Sequence, residues 1–227
     1  KTKAIKLAKQ ALEINPENID AECFIAEFEE NQIKKLSKME DIIEKATKIL
    51  EKDNMFDKEN IGHFWGMIET RPYMRARNRK LTILMDLGRY TDAIKECEEM
   101  LKLCESDNLG IRYTLIGLYC TLEKFEECEK LYKKFNEYSA FMLFPMAIMY
   151  FKKGDYKKSK KFLKDVQEAN PYIIKILKND IAMIENSEDI EYYAPGSKEE
   201  ASIIITDLFY LLGSVPSFIT FMEIELK

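Results

Sequence analysis

Residues 87–101 read LGRYTDAIKECEEML, and two further segments share their pattern: LEKFEECEKLYKKF at 122–135 and KGDYKKSKKFLKDV at 153–166. Each pairs a turn-forming residue with an aromatic residue two positions later and a small residue three positions after that. The turn residues are Gly88, Glu123 and Gly154, the aromatic residues Tyr90, Phe125 and Tyr156, and the small residues Ala93, Cys128 and Ser159. The turn residues follow one another at intervals of 35 and 31 residues. This recurrence predicts a tandem repeat, which decides the architecture of the whole chain.

About 14 residues with apolar positions at helical spacing precede each of these segments, for example Leu81, Leu84 and Leu87. The repeating unit is therefore predicted to be a hairpin of two α-helices. We expect the small residue to let the second helix approach the first, and the aromatic residue to fill the joint between hairpins. These are packing roles rather than catalytic ones.

The pattern resembles the tetratricopeptide repeat, which has a period of 34 residues and often a closing proline. Pro16 in ALEINP and Pro171 in VQEANP stand where that proline is expected, whereas Glu105 replaces it in the middle repeat. The resemblance implies an all-α fold: a tetratricopeptide-like helical-hairpin solenoid, wound as a right-handed superhelix, with an insertion and a C-terminal helical cap. Small residues precede Pro16 at the positions of a repeat's second helix, which predicts that the sequence starts halfway through a repeat. We therefore expect the natural protein to extend upstream of Lys1.

We expect one helical-repeat domain over residues 1–227. It comprises N-terminal helices at 1–52, an insertion at 53–70, central tetratricopeptide-like repeats at 71–170 and a C-terminal cap at 171–227.

Finer expectations concern the ends of these segments. Asn15 and Pro16 are expected to start the hairpin at 18–52, and His63 and Trp65 to anchor the insertion. A helix is predicted from Pro171 to about Ile184, followed by an acidic turn that begins at 185 and a helix from about Ser197, as its cap, to Leu212.

Four sequence blocks resemble a narrower group of proteins. HFWGMIETRPYMRAR (63–77), DNLGIRY (107–113), EANPYI (168–173) and YYAPGSKEEA (192–201) are similar to bacterial tetratricopeptide proteins related to the suppressor of tumorigenicity seven family. The resemblance covers roughly residues 60–213. It implies an interaction role without a defined biochemical activity.

Composition excludes several classes of function. The net charge of −5 argues against general binding to nucleic acid, and no apolar run approaches the length of a membrane span. Five cysteines without a CxxC pair are typical of a reducing cytoplasm, and a single histidine, His63, leaves a zinc site without most of its usual ligands. Nucleotide-binding and hydrolase motifs are absent from the sequence. We therefore expect a cytoplasmic protein that is not an enzyme and that has no catalytic residues, metal or cofactor.

Arginines are concentrated in one stretch, ETRPYMRARNRK at 69–80, which contains four of the six in the chain. On a helix Arg71, Arg75 and Arg79 share one stripe, with Asn78 and Thr82 beside it, whereas Arg77 points elsewhere. The repeat frame places this stripe on the concave groove. Because a guanidinium group binds a carboxylate bidentately, the stripe predicts a protein or peptide partner that carries an acidic group.

The same frame places apolar residues on the groove of the next two repeats. They are predicted to hold apolar side chains of the peptide: Tyr113, Phe141, Phe144, Ile148 and Phe151.

Other roles for these residues and for the chain remain open. The arginines could pair with acids of the chain itself, such as Asp86, Glu69 or carboxylates of the upstream hairpin, and helices after residue 171 could fold back over the aromatic set. The arginines could instead bind RNA or a nucleotide, with Tyr113 or Phe141 as stacking platforms. The chain could also be a regulatory fragment of a larger enzyme, and an exposed apolar groove could form a homodimer.

Overall fold

The structure is a computed structural model that describes residues 2–184, 190 and 192–226. These residues form thirteen α-helices: α1 (Thr2–Ile14), α2 (Ile19–Ala26), α3 (Gln32–Lys52), α4 (Arg71–Asp86), α5 (Tyr90–Leu103), α6 (Ile111–Thr121), α7 (Phe125–Phe135), α8 (Ala140–Lys152), α9 (Tyr156–Ala169), α10 (Pro171–Leu177), α11 (Lys198–Asp207), α12 (Phe209–Gly213) and α13 (Ser217–Glu225). The fold is all-α and tetratricopeptide-like, as predicted. Across the described ranges, none of the helices combines the length and apolarity needed to cross a membrane.

The three turn residues of the repeat share one backbone conformation. Gly88, Glu123 and Gly154 have positive φ angles of 67°, 57° and 81°. After each of them, the next N–H donates to a carbonyl five residues back, as in a Schellman motif: Arg89 to Leu84, Lys124 to Tyr119 and Asp155 to Tyr150, at 2.8–2.9 Å. The shared motif ends α4, α6 and α8 in the same way and confirms the three predicted hairpin turns.

The small residues of the repeat lie where the helices of each hairpin touch. Ala93, Cys128 and Ser159 are fully buried. Ser159 Oγ donates to the carbonyl of Ala147 in α8 at 2.8 Å, so α9 lies directly against its partner helix. The packing role predicted for these positions is confirmed.

The chain divides into two compact units, Lys1–Ile111 and Arg112–Lys227. The prediction of one domain over 1–227 stays a prediction.

The first unit begins its hairpin one turn later than expected. Asn18, not Asn15, is the N-cap of α2, because its side chain accepts from Ala21 N at 3.0 Å. Asn15 instead accepts from Glu17 N within the preceding turn. Asn31 caps α3 by accepting from two backbone N–H groups.

The insertion at 53–70 is structured, as expected. The contacts that hold it are made by Gly62 and Phe64. Gly62 N and Phe64 N both donate to the carbonyl of Leu103, at 3.1 and 3.0 Å. Phe64 is fully buried, with its ring 5.2 Å from that of Phe56 and 6.1 Å from that of Tyr73. His63 is exposed, so the prediction that it anchors the insertion was wrong.

The second unit ends in short helices whose boundaries differ from the predicted ones. Helix α10 stops at Leu177 rather than near Ile184, because Asn179 adopts a left-handed φ of 59° and Asp180 N donates back to the Lys175 carbonyl. The predicted helix to Leu212 is interrupted at Leu208, between α11 and α12. Ser197 caps α11 as expected. The acidic residues 185–189 and 191 lie outside the described residues.

Close packing joins α6 to the C-terminal helices of the second unit. A Cβ atom on Gly117 would clash with Tyr210 Oη and would lie 2.7 Å from Leu208 Cδ2. The absence of a side chain at this position therefore lets these two side chains approach α6.

Candidate protein-interaction surfaces

Two arginines of the predicted stripe are paired with carboxylates of the upstream hairpin, Asp20 within α2 and Glu27 directly after it. Arg75 donates to Asp20 bidentately, with Nε–Oδ1 at 2.9 Å and Nη2–Oδ2 at 2.5 Å. Arg79 donates through Nε to Glu27, and its Nη1 lies 3.9 Å from Asp20. The upstream hairpin thus supplies the carboxylates. This arrangement is the alternative in which the arginines pair with acids of the chain itself and not with an external ligand.

The remaining members of the stripe have different surroundings. Arg71 donates from Nε to the carbonyl of Trp65 at 2.8 Å, and its guanidinium lies 5.8 Å from the centre of that indole ring. Thr82 is exposed, and its hydroxyl donates to the carbonyl of the half-buried Asn78. The role of Arg71, Arg75, Asn78, Arg79 and Thr82 in peptide binding stays a prediction.

Arg77 points away from this stripe, as expected, into a buried charge cluster. Its Nε donates to Glu96 of α5, which also pairs with Lys80 at 2.9 Å. Glu96 is only 4% exposed and Arg77 11%. Burial lowers the pKa of Arg77, but the hydrogen bond and the charge of Glu96 outweigh it and raise the pKa overall. This cluster ties α4 to α5 and contributes to the fold.

Tyr113 belongs to a polar and aromatic cluster in the second unit. Its hydroxyl donates to Glu137 Oε1 at 2.7 Å, and its ring stacks on Phe141 with centroids 4.7 Å apart. Arg112 Nε donates to Glu137 Oε2 at 2.8 Å, and its guanidinium lies 4.1 Å from the Tyr113 ring centre. Burial and the neighbouring Glu137 raise the pKa of Tyr113. Arg112 was not among the predicted site residues, because no arginine cluster surrounds it in the sequence.

The aromatic set of α8 is covered by residues from the end of the chain. Phe218 of α13 lies 6.2 Å from Phe144 and 5.4 Å from Phe151, measured between ring centroids. Phe221 lies 4.9 Å from Phe151. Near the start of the helix, Phe141 faces Tyr193 at 6.0 Å.

These contacts correspond to the second alternative, in which downstream helices cover the aromatic residues. Phe144 and Ile148 are fully buried and Phe141 nearly so. A peptide could reach them only if the C-terminal residues moved away, and their predicted role in binding, like that of Phe151, stays a prediction.

A stripe of lysines on α9 was missed among the predicted site residues. Residues 152–164, KKGDYKKSKKFLK, hold seven lysines and one aspartate, which is a signal visible in the sequence. Lys157, Lys161 and Lys164 lie opposite the buried Leu163 and Val166, and all three are exposed. We call these three residues the lysine stripe. Within the described residues no ion pair joins them to a carboxylate, although Asp165 is close enough to Lys161 to interact electrostatically.

Lysines beside the stripe are already engaged. Lys153 pairs with Glu129 at 2.9 Å, Lys158 with Asp155 at 3.3 Å and Lys160 with Glu225 at 2.5 Å. Lys152 is mostly buried and donates to two carbonyls at the end of α6. Among the lysines at 152–164, those of the lysine stripe are therefore the ones for which the described residues provide no ion pair.

The cysteines offer no reactive site. All five are buried free thiols. Burial raises the pKa of Cys23 to about 11 and that of Cys120 to about 12, so both stay protonated at neutral pH. Their predicted role as core residues is confirmed.

The chain was compared with models of protein families and with curated proteins. The family model of the tetratricopeptide repeat matches residues 145–172, which cover the second half of α8, all of α9 and the first two residues of α10. No curated protein matches the chain. Tetratricopeptide repeats typically act as non-catalytic scaffolds that bind other proteins. The chain is thus an all-α helical-repeat protein with a tetratricopeptide repeat at 145–172, the type of fold that serves protein–protein interaction.

Proposed function

We propose that this protein is a non-enzymatic interaction module that binds an acidic segment of a partner protein through the lysine stripe. The observation that carries the proposal is the contrast between two cationic surfaces. Arg75 and Arg79 already have carboxylate partners in the upstream hairpin, whereas no described residue forms an ion pair with Lys157, Lys161 or Lys164.

The dimensions of the stripe suit an extended acidic segment. Its ends, Lys157 and Lys164, are seven positions apart, which places them roughly 10 Å apart along the helix. Three alternate residues of an extended chain span about 13 Å, a difference that the flexible lysine stems can cover. Alternate acidic side chains of such a segment could therefore reach all three ammonium groups.

Lysine favours this type of partner. Its flexible stem and three donors allow it to follow carboxylates whose positions vary, where arginine would require a fixed bidentate geometry. Each contact is exposed and weak by itself, so affinity would come from the combined charge and would fall as salt increases.

A charge-reversal experiment tests the proposal. The probe is a fluorescent peptide of alternating glutamate and serine, and binding is followed by fluorescence anisotropy. The variant K157E/K161E/K164E should weaken binding by at least about tenfold. The matched control K3E/K34E/K58E makes the same change in net charge at exposed lysines of the first unit and should retain most of the affinity.

Two outcomes would overturn the proposal. Equal loss in both triple variants would mean that only the overall charge matters. If the lysine variant bound normally and R75A/R79A did not, the acid-binding site would be the arginine stripe.

An RNA ligand is a further outcome of the same test. A single-stranded oligonucleotide that binds more tightly than the peptide, with a steep dependence on salt, would replace the protein partner by nucleic acid. The net charge of −5 counts against this outcome.

We also infer a reducing compartment such as the cytoplasm. The five buried free thiols support this inference, because an oxidising compartment favours disulfides.

A further inference from the structure

A cavity of about 290 Å³ opens in the first unit between the α1–α2 connection, α3 and the first turn of α4. Part of its lining is apolar, and Asn15, Asn18 and the hydroxyl of Tyr73 add polar groups. Ile19, Ala46, Leu50 and Tyr73 line it, and all four are buried in the fold. The volume lies at the lower end of the range for small-molecule sites, so it suits one amino-acid side chain.

Two carboxylates, Glu17 and Glu69, lie at the rim of this cavity. Both residues are exposed. Neither carboxylate forms an ion pair in the part of the chain that the structure describes. Because the two come from different segments, their negative charges meet at the rim only in the folded chain.

The segment that carries Glu17 is held in place by hydrogen bonds. Asn15 Oδ1 accepts from Glu17 N at 3.0 Å, which closes the turn. Lys45 of α3 donates to the carbonyl of Pro16 at 2.6 Å. These bonds fix the backbone on one side of the rim.

The segment that carries Glu69 is anchored by its neighbour. Thr70 is fully buried, and its hydroxyl contacts the carbonyls of Phe64 and Met67. A rim on fixed backbone reduces the ordering that a ligand would have to impose.

We propose that this cavity binds an apolar residue at the N-terminus of a partner chain. The side chain of that residue would lie against Ile19, Ala46 and Leu50, and its α-ammonium group would lie between the carboxylates of Glu17 and Glu69. Capture of an N-terminal amine is a known mode of peptide recognition.

The cavity is separate from the lysine stripe, since it lies in the other unit and selects the opposite charge. The inference therefore does not depend on the proposed function.

Two small probes test the chemistry. Leucinamide has a leucine side chain and a free ammonium group, whereas N-acetylleucinamide has the same side chain without the charge. Each is titrated into the full chain, and the methyl NMR signals of Ala46, Ile49 and Leu50 are followed. We expect leucinamide to shift these signals at a concentration at least about tenfold lower. Equal effects of the two probes, or no shift with either, would refute the inference.

Variants of the two rim carboxylates then test whether they bind the ammonium group. E17Q/E69Q keeps the shape of both side chains and should abolish the preference for leucinamide. The control E13Q/E51Q removes the same charge from exposed positions that do not line the cavity and should preserve it. Thermal unfolding of both variants checks that the fold is intact. A preference that survives in E17Q/E69Q would exclude the two carboxylates as the site of the ammonium group.

Discussion

Arg75 and Asp20 form a two-pronged ion pair between α4 and α2, with both guanidinium–carboxylate distances at 2.9 Å or less. Both side chains keep more than a third of their surface exposed. An external carboxylate that bound Arg75 would have to displace Asp20.

This relationship distinguishes the two acid-binding surfaces. Asp20→Asn would release Arg75 and should strengthen peptide binding if the arginine stripe is the site. Because we assign binding to the lysine stripe, we expect the affinity for the glutamate–serine peptide to change less than about twofold. Fluorescence anisotropy measures this affinity, and a clear gain would show that the peptide binds at Arg75.

Glu96 should be the most sensitive charged residue of the first unit. Glu96→Gln leaves Arg77 and Lys80 without a charged partner in a buried position, so the free energy of unfolding should fall by about 3 kcal/mol. Chemical denaturation gives the value. Glu40→Gln, at an exposed position on α3, serves as the control and should change little. A loss below about 1 kcal/mol for Glu96→Gln would show that the cluster contributes less than its burial indicates.

Even one methyl group at Gly117 should destabilise the fold. In Gly117→Ala the new Cβ atom would lie too close to side-chain atoms of Tyr210 and Leu208, which would have to move, and we expect a loss of about 1 kcal/mol. Gly213→Ala is the matched control, since no atom lies within 4 Å of the corresponding Cβ position. Equal stability of the two variants in denaturant would contradict the close packing on α6.

Glu123 occupies a position that favours glycine. Its φ of 57° is left-handed, whereas the equivalent residues Gly88 and Gly154 adopt this conformation without strain. Glu123→Gly should therefore raise the free energy of unfolding by about 1 kcal/mol. Glu123→Ala, which removes the same carboxylate but retains a Cβ atom, should give no gain. If alanine stabilised as much as glycine, the charge and not the backbone would be responsible.

Glu137 should contribute to the loss of stability in acid. Burial raises its pKa, but hydrogen bonds from neighbouring side chains, Tyr113 and Arg112 among them, outweigh burial and lower it. A carboxyl whose folded pKa is lowered stabilises the fold above its unfolded pKa, and this contribution is lost as the pH falls through the folded value. We expect Glu137→Gln to flatten the stability profile between about pH 5 and pH 3. Denaturation at several pH values tests this, and a slope unchanged from the parent chain would contradict it.

The hairpins could be predicted from sequence because their determinants are local. Gly88 and Gly154 mark turns, and Ala93 and Ser159 mark helix contacts, within a few residues of each other. The N-cap at Ser197 was equally local. Asn179 shows the limit, because asparagine tolerates a left-handed turn but also continues many helices, so the end of α10 was misplaced.

The surroundings of the candidate site residues depend on distant parts of the chain. Asp20 is 55 residues from Arg75, and no periodic pattern connects them. Phe218 and Phe221 resemble any apolar helix in the sequence, and only the folded chain brings them to Phe144 and Phe151. The lysine stripe was visible in the sequence of residues 152–164, but a run of lysines is more often simply a solvated surface.

The covering of α8 by α13 also matters while the chain is being synthesised. Phe144 and Phe151 are synthesised 74 and 70 residues before Phe218 and Phe221, which cover them. At about 5–20 residues per second, the ribosome would need roughly 4 to 15 seconds to supply the cover. During that interval a nascent chain carries an apolar helix face that its own C-terminus has yet to reach.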